Sequence, residues 1–186
     1  MPEADAPAKD PFDEAVRGLA CRLARLDPGP LAQLRRAEPG EGVPAFWRLY
    51  HAQNLAERPG RDVDWEWVVI ALARLTPTGN DPGKESVHDG SLPLGRALHA
   101  AGVSELRLAK VLNAPLDQRR ETLMRLVRVL ARDKARFNTC DLARLLLFEA
   151  PDPTASRSPL RRLAQSYFAA EADAAKAAAK KEGSDA

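Results

Sequence analysis

Four arginines at helical spacing are the residues of this chain whose types and positions most directly suggest chemistry. Arg125, Arg128, Arg132 and Arg136 recur at steps of three and four residues. On a helix that turns by about 100° per residue, their side chains fall within about 80° of one another. Guanidinium groups stay charged and form paired N–H contacts with phosphate oxygens. Like charges in one row repel each other, so the row needs either a bound polyanion or surrounding solvent. It therefore indicates a polyanion-binding face or an ordinary solvated face.

Further basic residues lie upstream of this row and concentrate positive charge in one part of the chain. Residues 91–140 carry 10 Lys/Arg against 4 Asp/Glu, whereas residues 1–90 carry 11 against 15 and residues 141–186 carry 7 against 7. The net charge of +2 hides this concentration. The upstream basic residues are Arg96, Arg107, Lys110, Arg119 and Arg120.

Aromatic residues are absent from the basic segment. No Phe, Tyr or Trp occurs between residues 91 and 136. Surfaces that bind unpaired bases use such side chains as stacking platforms. We therefore expect this segment to hold backbone phosphates, which makes binding tolerant of sequence and sensitive to salt.

The remaining sequence contains no recognisable catalytic or metal-binding arrangement. The three histidines, His51, His88 and His99, lie on separate segments without the four-residue spacing of a helical zinc site. Residues 79–84 (Gly-Asn-Asp-Pro-Gly-Lys) differ from a phosphate-binding loop, because only three residues separate the glycines and Glu85 follows the lysine. We expect a protein that is not an enzyme and that binds no cofactor or metal.

Acidic residues cluster at Asp62, Asp64 and Glu66, where a helix is predicted to begin. Steps of two residues spread these carboxylates around the helix axis. We interpret them as groups that complement the helix dipole, with Asp64 as a possible cap, rather than as metal ligands.

The cysteines and the N-terminus predict the compartment. Cys21 and Cys140 are far apart in sequence and form no CxxC pair, as is typical of a reducing cytoplasm. The N-terminus lacks the basic and apolar regions of a signal peptide, and no apolar run approaches the roughly 20 residues that span a membrane. We expect a cytoplasmic protein without a membrane segment.

The elements that must position the basic side chains are predicted to be helices. Hydrophobic residues make up 45% of the chain but aromatic residues only 5%, which favours helices packed on helices over a β-sandwich. Apolar residues recur at steps of three and four, and most prolines and glycines fall between these stretches. The predicted helices cover residues 12–26, 31–37, 44–55, 64–75, 92–101, 105–112, 116–136 and 139–148, and a last helix begins near Pro159.

The predicted fold class is all-α, with two small helical-bundle lobes joined by a loop. The N-terminal lobe covers residues 11–77, and residues 78–91, rich in Pro, Gly, Asn, Asp and Ser, form the linker loop. The C-terminal lobe, residues 92–170, carries the basic face. Residues 171–186 form a low-complexity tail of Ala, Lys and Glu.

Three stretches of the sequence resemble one known family. The first joins residues 31–37 (LAQLRRA) to residues 44–50 (PAFWRLY), and the second joins residues 91–98 (SLPLGRAL) to residues 103–108 (VSELRL). The third is residues 118–128 (QRRETLMRLVR). In order and spacing, these stretches resemble the CasB small-subunit family of the type I-E CRISPR Cascade complex.

The resemblance implies a specific set of partners. Members of that family are helical proteins of two lobes that work as a pair, so a second copy of the chain is an expected partner. They lie beside the other Cascade subunits, help to hold crRNA and target DNA, and steady the displaced non-target strand of the R-loop. Sequence recognition belongs to the guide RNA.

The resemblance also implies which residues contact nucleic acid. By motif position they are Arg35, Arg36, Arg96, Arg107, Arg119, Arg120, Arg125 and Arg128.

Other interpretations remain open at this level. The chain could instead be a helical adaptor that binds a protein partner through an acidic groove. Any single arginine could form an intramolecular salt bridge, and Arg36 and Arg107 could join helices in this way.

Overall fold

The computed structural model describes residues 10–77, 85–149 and 158–182, and it confirms the all-α fold class. One residue pair, His88 and Phe137, forms an isolated parallel β-bridge. None of the described helices is both long and apolar enough to cross a membrane. The helices are α1 (Pro11–Ala24), α2 (Pro28–Arg36), α3 (Pro44–Ala52), α4 (Asp62–Leu75), α5 (Leu94–Ala100), α6 (Glu105–Asn113), α7 (Leu116–Arg132), α8 (Thr139–Leu147) and α9 (Pro159–Glu182), with a single 3-10 turn at Leu55–Glu57.

Short-range interactions define several of the helix starts. The Asp10 side chain accepts a hydrogen bond from the Phe12 N–H at 2.9 Å, and Pro11 supplies a pre-set backbone angle for the first turn of α1. The Asn138 side chain accepts the Cys140 N–H at 3.1 Å in the same way at the start of α8. These caps satisfy backbone donors that have no partner within the helix.

Helix α4 begins at Asp62, before the position predicted from its acidic cluster. The Asp64 carboxylate accepts the Arg61 N–H at 3.1 Å, so it caps the helix from within the first turn. Glu66 is buried and accepts the N–H of Gly40 at 2.6 Å, which holds the loop between α2 and α3 against α4. These carboxylates therefore make specific contacts in addition to complementing the helix dipole.

Several helix ends differ from the predicted ones; α1 and α3 end two and three residues early, and the differences at α7 and α9 affect the predicted site and tail. Helix α7 ends at Arg132 rather than near residue 136, because the backbone of Lys134 adopts a left-handed conformation (φ 50°) and the Ala135 N–H returns to the Leu130 carbonyl at 2.9 Å. Arg136 consequently lies outside the helix. Helix α9 continues to Glu182, so most of the predicted low-complexity tail is helical, while residues 183–186 lie outside the described part.

Helices from both predicted lobes share one hydrophobic core. Helix α4 packs against α1, α2, α7 and α8, and α1 also packs against α8. The Phe12 ring of α1 lies 5.7 Å from the Trp65 ring of α4 and 5.4 Å from the Phe148 ring that follows α8. The division into lobes at 11–77 and 92–170 stays a prediction. The linker residues 78–84 lie outside the described part, and residues 85–91 are not helical.

Helix α9 is held against α5 by a close approach of their backbones. A Cβ at Gly95 would lie 2.4 Å from the Leu163 carbonyl oxygen, so the position accepts only glycine at this spacing. The Tyr167 hydroxyl also donates a 2.5 Å hydrogen bond to the Val103 carbonyl ahead of α6. These contacts hold α5, α6 and α9 together, and α5 and α6 also pack against α7.

Candidate nucleic-acid interface

Helix α7 is amphipathic, as the sequence predicts. Leu123, Leu126, Val127 and Leu130 are buried in the core on one side. Arg125 and Arg128 are exposed on the other side. The burial of the leucine face leaves the outer face of α7 available to a ligand.

The outer face of α7 meets α6 in a basic groove of about 400 Å³. Arg107 and Lys110 stand on the α6 side, and Arg125 and Arg128 stand on the α7 side. These four cationic side chains come from separate parts of the sequence. The other lining residues of this α6/α7 groove are Thr122, Leu126 and Val129.

Acidic residues do little to neutralise the α6/α7 groove. Among the described residues, no carboxylate forms an ion pair with Arg107, Lys110 or Arg128. Arg125 has Glu121 at 3.8 Å, but both side chains are exposed, and such surface pairs are weak. The groove is therefore a concave positive surface with solvent-exposed N–H donors on both walls, which suits a polyanion.

Arg119 and Arg120 do not reach this surface, in contrast to the expectation from the motif. Only 4% of Arg119 and 5% of Arg120 is exposed. The Arg119 guanidinium donates to the carbonyls of Phe148 and Ala114, each at 3.2 Å, and burial lowers its pKa. The physical reason is their position on the helix: both precede Leu123 by one turn and share its buried face.

Arg120 instead forms a buried ion pair with Asp64 of α4. Its Nη2 lies 2.6 Å from Asp64 Oδ1, and its Nε donates to the Leu146 carbonyl at 2.7 Å. Arg61 binds the same carboxylate from the solvent side at 3.0 Å. Burial raises the pKa of Asp64, but the hydrogen bonds from Arg61 and Arg120 outweigh burial and hold that pKa below its usual value.

Three other predicted site residues have acidic partners within the chain. Arg96 pairs with Asp173 of α9 at 2.8 Å, and Arg132 pairs with its neighbour Asp133 at 2.9 Å. Arg136 forms a close ion pair with Glu85. A phosphate would have to compete with these carboxylates, so the three arginines are less available than those of the α6/α7 groove.

Arg35 and Arg36 stand apart from the groove on α2, which packs against α3 and α4. Arg36 is exposed, whereas Arg35 is half-buried and its Nη1 has no hydrogen-bond partner among the described residues. The Arg35 carbonyl accepts a 3.2 Å hydrogen bond from Arg74 of α4. The structure therefore does not bring this pair together with the α6 and α7 residues.

The histidines lie in separate environments. His88 is half-buried, and its Nδ1 lies 2.8 Å from the Thr139 hydroxyl. Burial and, next, the charge of Arg17 lower the His88 pKa. Within the described ranges, no three His, Cys, Asp or Glu side chains are grouped so that they could hold a metal ion.

Fold and site together define an all-helical protein with a basic surface groove between two of its helices. The sequence profile of the CRISPR-associated protein Cse2 matches residues 30–168, and the chain belongs to this family. Cse2 is the small-subunit family that the sequence resembles under the name CasB, so the resemblance is confirmed. The matched range contains all eleven basic residues singled out from the sequence and ends at Phe168 within α9.

A solved structure shares the fold. The matching chain belongs to a crystal structure of E. coli Cascade bound to a PAM-containing dsDNA target with a 32-nt spacer. The TM-score is 0.58 at 21% sequence identity, over 83% of this chain and 94% of that chain. No curated protein sequence matches this chain significantly.

Proposed function

We propose that this protein is a non-catalytic small subunit of a type I-E Cascade complex that holds nucleic-acid phosphates in the α6/α7 groove. The observation that carries the proposal is the convergence of Arg107, Lys110, Arg125 and Arg128 on one groove, where the described residues form a single weak ion pair. Membership of the Cse2 family supports the proposal that the chain is a Cascade subunit, since a chain of the same fold occurs in E. coli Cascade bound to dsDNA.

The expected partners follow from the family. They are the other Cascade subunits, crRNA, the target and non-target DNA strands, and a second copy of this chain. By holding phosphates of these strands, the subunit would stabilise the R-loop in cytoplasmic antiviral defence. Specificity rests on base pairing with the guide, so the subunit needs no base-specific contacts.

The groove has the chemistry of a backbone-binding site. Two cationic side chains on each wall allow one phosphate row to be contacted from both sides, and Arg adds bidentate geometry. Leu126 and Val129, which also line the groove, offer no hydrogen bonds to base edges. Binding should therefore be independent of sequence and should weaken steeply with salt.

The experiment compares Cascade assembled with the natural chain and with the Arg125→Gln/Arg128→Gln variant. We expect weaker target-DNA binding, a shorter R-loop lifetime, and a log–log salt slope reduced by about two, roughly one for each lost phosphate contact. Lys176→Gln, an exposed change on α9 outside the matched range, is the control and should leave all three unchanged. An unaltered affinity and slope in the double variant would refute phosphate binding in this groove.

The same variant separates the proposal from the adaptor alternative. An adaptor that uses these arginines to bind an acidic protein would lose its partner in a pull-down but keep its affinity for nucleic acid. Divalent-ion-dependent cleavage of DNA or RNA by the purified chain would contradict the non-catalytic role.

A further inference from the structure

The outward face of α3 carries an aromatic cluster that the basic groove lacks. Trp47 is 37% exposed, and Arg48 and His51 beside it are exposed. The Trp47 ring lies 5.6 Å from the Tyr50 ring in an edge-to-face arrangement and 6.3 Å from the His51 ring at an interplanar angle of 31°. Trp47 and His51 therefore lie on the solvent side of α3, while the half-buried Tyr50 ring packs beneath them against the core.

The surrounding structure fixes the position of the Trp47 ring. The buried Phe46 ring lies 5.1 Å away on the core side. The chain passes close to the indole at Gly42, where φ is +57° and a Cβ would lie 3.1 Å from Trp47 Nε1. A large ring held in place before binding loses little conformational entropy when a ligand stacks on it.

Arg22 of α1 and Arg25, the residue that follows α1, extend this face. Arg22 Nη1 donates to the Ala52 carbonyl at 3.3 Å, which joins the last turn of α1 to the end of α3. Arg22 and Arg25 also line a groove of about 430 Å³ on α1 with Gly18 and Leu26. Because the Arg22 contact is to a neutral carbonyl, its charge is not neutralised.

The face has a clear excess of positive charge. No Asp or Glu occurs from residue 15 to residue 26 or within α3. Among the described residues, Arg22, Arg25 and Arg48 have no ion-pair partner. The nearby Glu41 carboxylate is turned toward the Glu38 N–H at 3.2 Å.

We propose that this surface, the α1/α3 face formed by Arg22, Arg25, Trp47, Arg48 and His51, binds an unpaired nucleic-acid strand. A base stacks on Trp47, and the arginines hold the flanking phosphates. Aromatic side chains interleaved with uncompensated cations are the arrangement by which proteins hold single strands without reading their sequence. A duplex keeps its bases stacked on each other, so this face selects single strands. The site goes beyond the α6/α7 groove, where phosphate contacts serve single and double strands alike.

The test measures binding of the purified chain to fluorescein-labelled oligothymidylate and to a labelled duplex of equal length. Trp47→Ala should weaken oligothymidylate binding by roughly five- to 150-fold, the range for losing one stacked base, and should leave duplex binding unchanged. Trp47→Phe keeps a stacking ring and should retain most of the affinity. Arg48→Gln, a surface change, should weaken single-strand binding and lower its salt slope by about one.

Intrinsic fluorescence gives an independent readout. Trp65 is fully buried and Trp67 is half-buried, so Trp47 is the tryptophan on which a base can stack. Oligothymidylate should quench the emission of the natural chain but not that of Trp47→Phe. Circular dichroism confirms that the variants are folded, and Lys176→Gln serves as the surface-charge control.

The outcomes distinguish this site from the groove. If Trp47→Ala and Arg48→Gln both bind oligothymidylate as the natural chain does, the α1/α3 face is not a single-strand site, whatever the groove variants show. If they lose a Cascade protein subunit in co-purification but keep the oligonucleotide, the face binds protein and the proposal is overturned. Arg125→Gln/Arg128→Gln should weaken single-strand and duplex binding alike, so its failure would count only against the groove.

Discussion

Replacing Arg120 by methionine tests the buried ion pair between α7 and α4. The side chains of Arg120 and Asp64 are only 6% and 9% exposed, so solvent screens the pair weakly. Breaking a buried pair from one side typically costs about 3–5 kcal/mol, because the remaining charge stays buried without its partner. The substitution also removes the hydrogen bond to the Leu146 carbonyl.

Arg61 reduces the expected loss. It keeps hydrogen bonds of 3.0 and 3.1 Å to the Asp64 carboxylate, and its backbone N–H donates to the same carboxylate at 3.1 Å. Methionine also preserves much of the apolar contact that the arginine stem makes. We therefore expect Arg120→Met to lower the free energy of unfolding by about 3 kcal/mol.

Urea unfolding followed by circular dichroism measures this loss. A double-mutant cycle with Asp64→Asn should give a coupling energy of about 2 kcal/mol. Arg128→Met, on the exposed side of the same helix, is the matched control and should change stability by less than about 0.5 kcal/mol. A loss below about 1 kcal/mol for Arg120→Met, together with a coupling near zero, would refute the internal role of Arg120.

Three further predictions concern acid stability, backbone packing and thiol reactivity. For Asp13 and Asp64, burial alone would raise the pKa, but hydrogen bonds, chiefly from arginines, lower it by more, so the folded-state pKa lies below the usual value. The two carboxylates therefore contribute fully to the free energy of unfolding above the unfolded pKa of about 4, and this contribution is lost as the pH falls through their lower folded pKa values. The urea midpoint should be lower at about pH 3 than at about pH 5, and a higher midpoint at about pH 3 would contradict this. A Cβ at Gly95 would lie 2.4 and 2.6 Å from backbone atoms of α9, so Gly95→Ala should cost at least about 1–3 kcal/mol; an unchanged melting temperature would contradict this packing. Burial raises the pKa of Cys140 to about 12 while Cys21 is exposed, so Ellman's reagent should modify one thiol in the native chain and two in urea; two in the native chain would contradict the burial.

Helices whose limits depend on adjacent residues could be predicted well from the sequence. The Asp10 cap and Pro11 define the start of α1 through contacts within two residues. The end of α7 was predicted four residues too late, because neither Gly nor Pro marks it. The left-handed backbone at Lys134 accompanies the pairing of Phe137 with His88, a partner 49 positions away that local spacing does not reveal.

The candidate site could be predicted as a set of residues but not as a geometry. Helical spacing alone places Arg119 and Arg120 on the leucine side of α7, and this signal was available in the sequence. Most of their partners were not: Asp64 lies 56 positions before Arg120, and the Leu146 and Phe148 carbonyls lie at the end of α8, whereas only the Ala114 carbonyl is close in sequence. Likewise, α6 and α7 form one groove through a tertiary contact, which the spacing of residues along the sequence does not predict.

The position of each arginine on α7 determines whether it stabilises the fold or remains available to a ligand. Arg120 joins the first half of α7 to α4 and α8, and together with the leucine face it holds the helix in place. Arg125 and Arg128, in the second half, have no role in that packing, since their side chains point into solvent. Neutralising them should therefore reduce affinity for nucleic acid at unchanged stability, whereas Arg120→Met should reduce stability while the folded fraction keeps the α6/α7 groove. Measuring both quantities on both variants separates the two roles, because a purely structural arginine row would lower stability in each case.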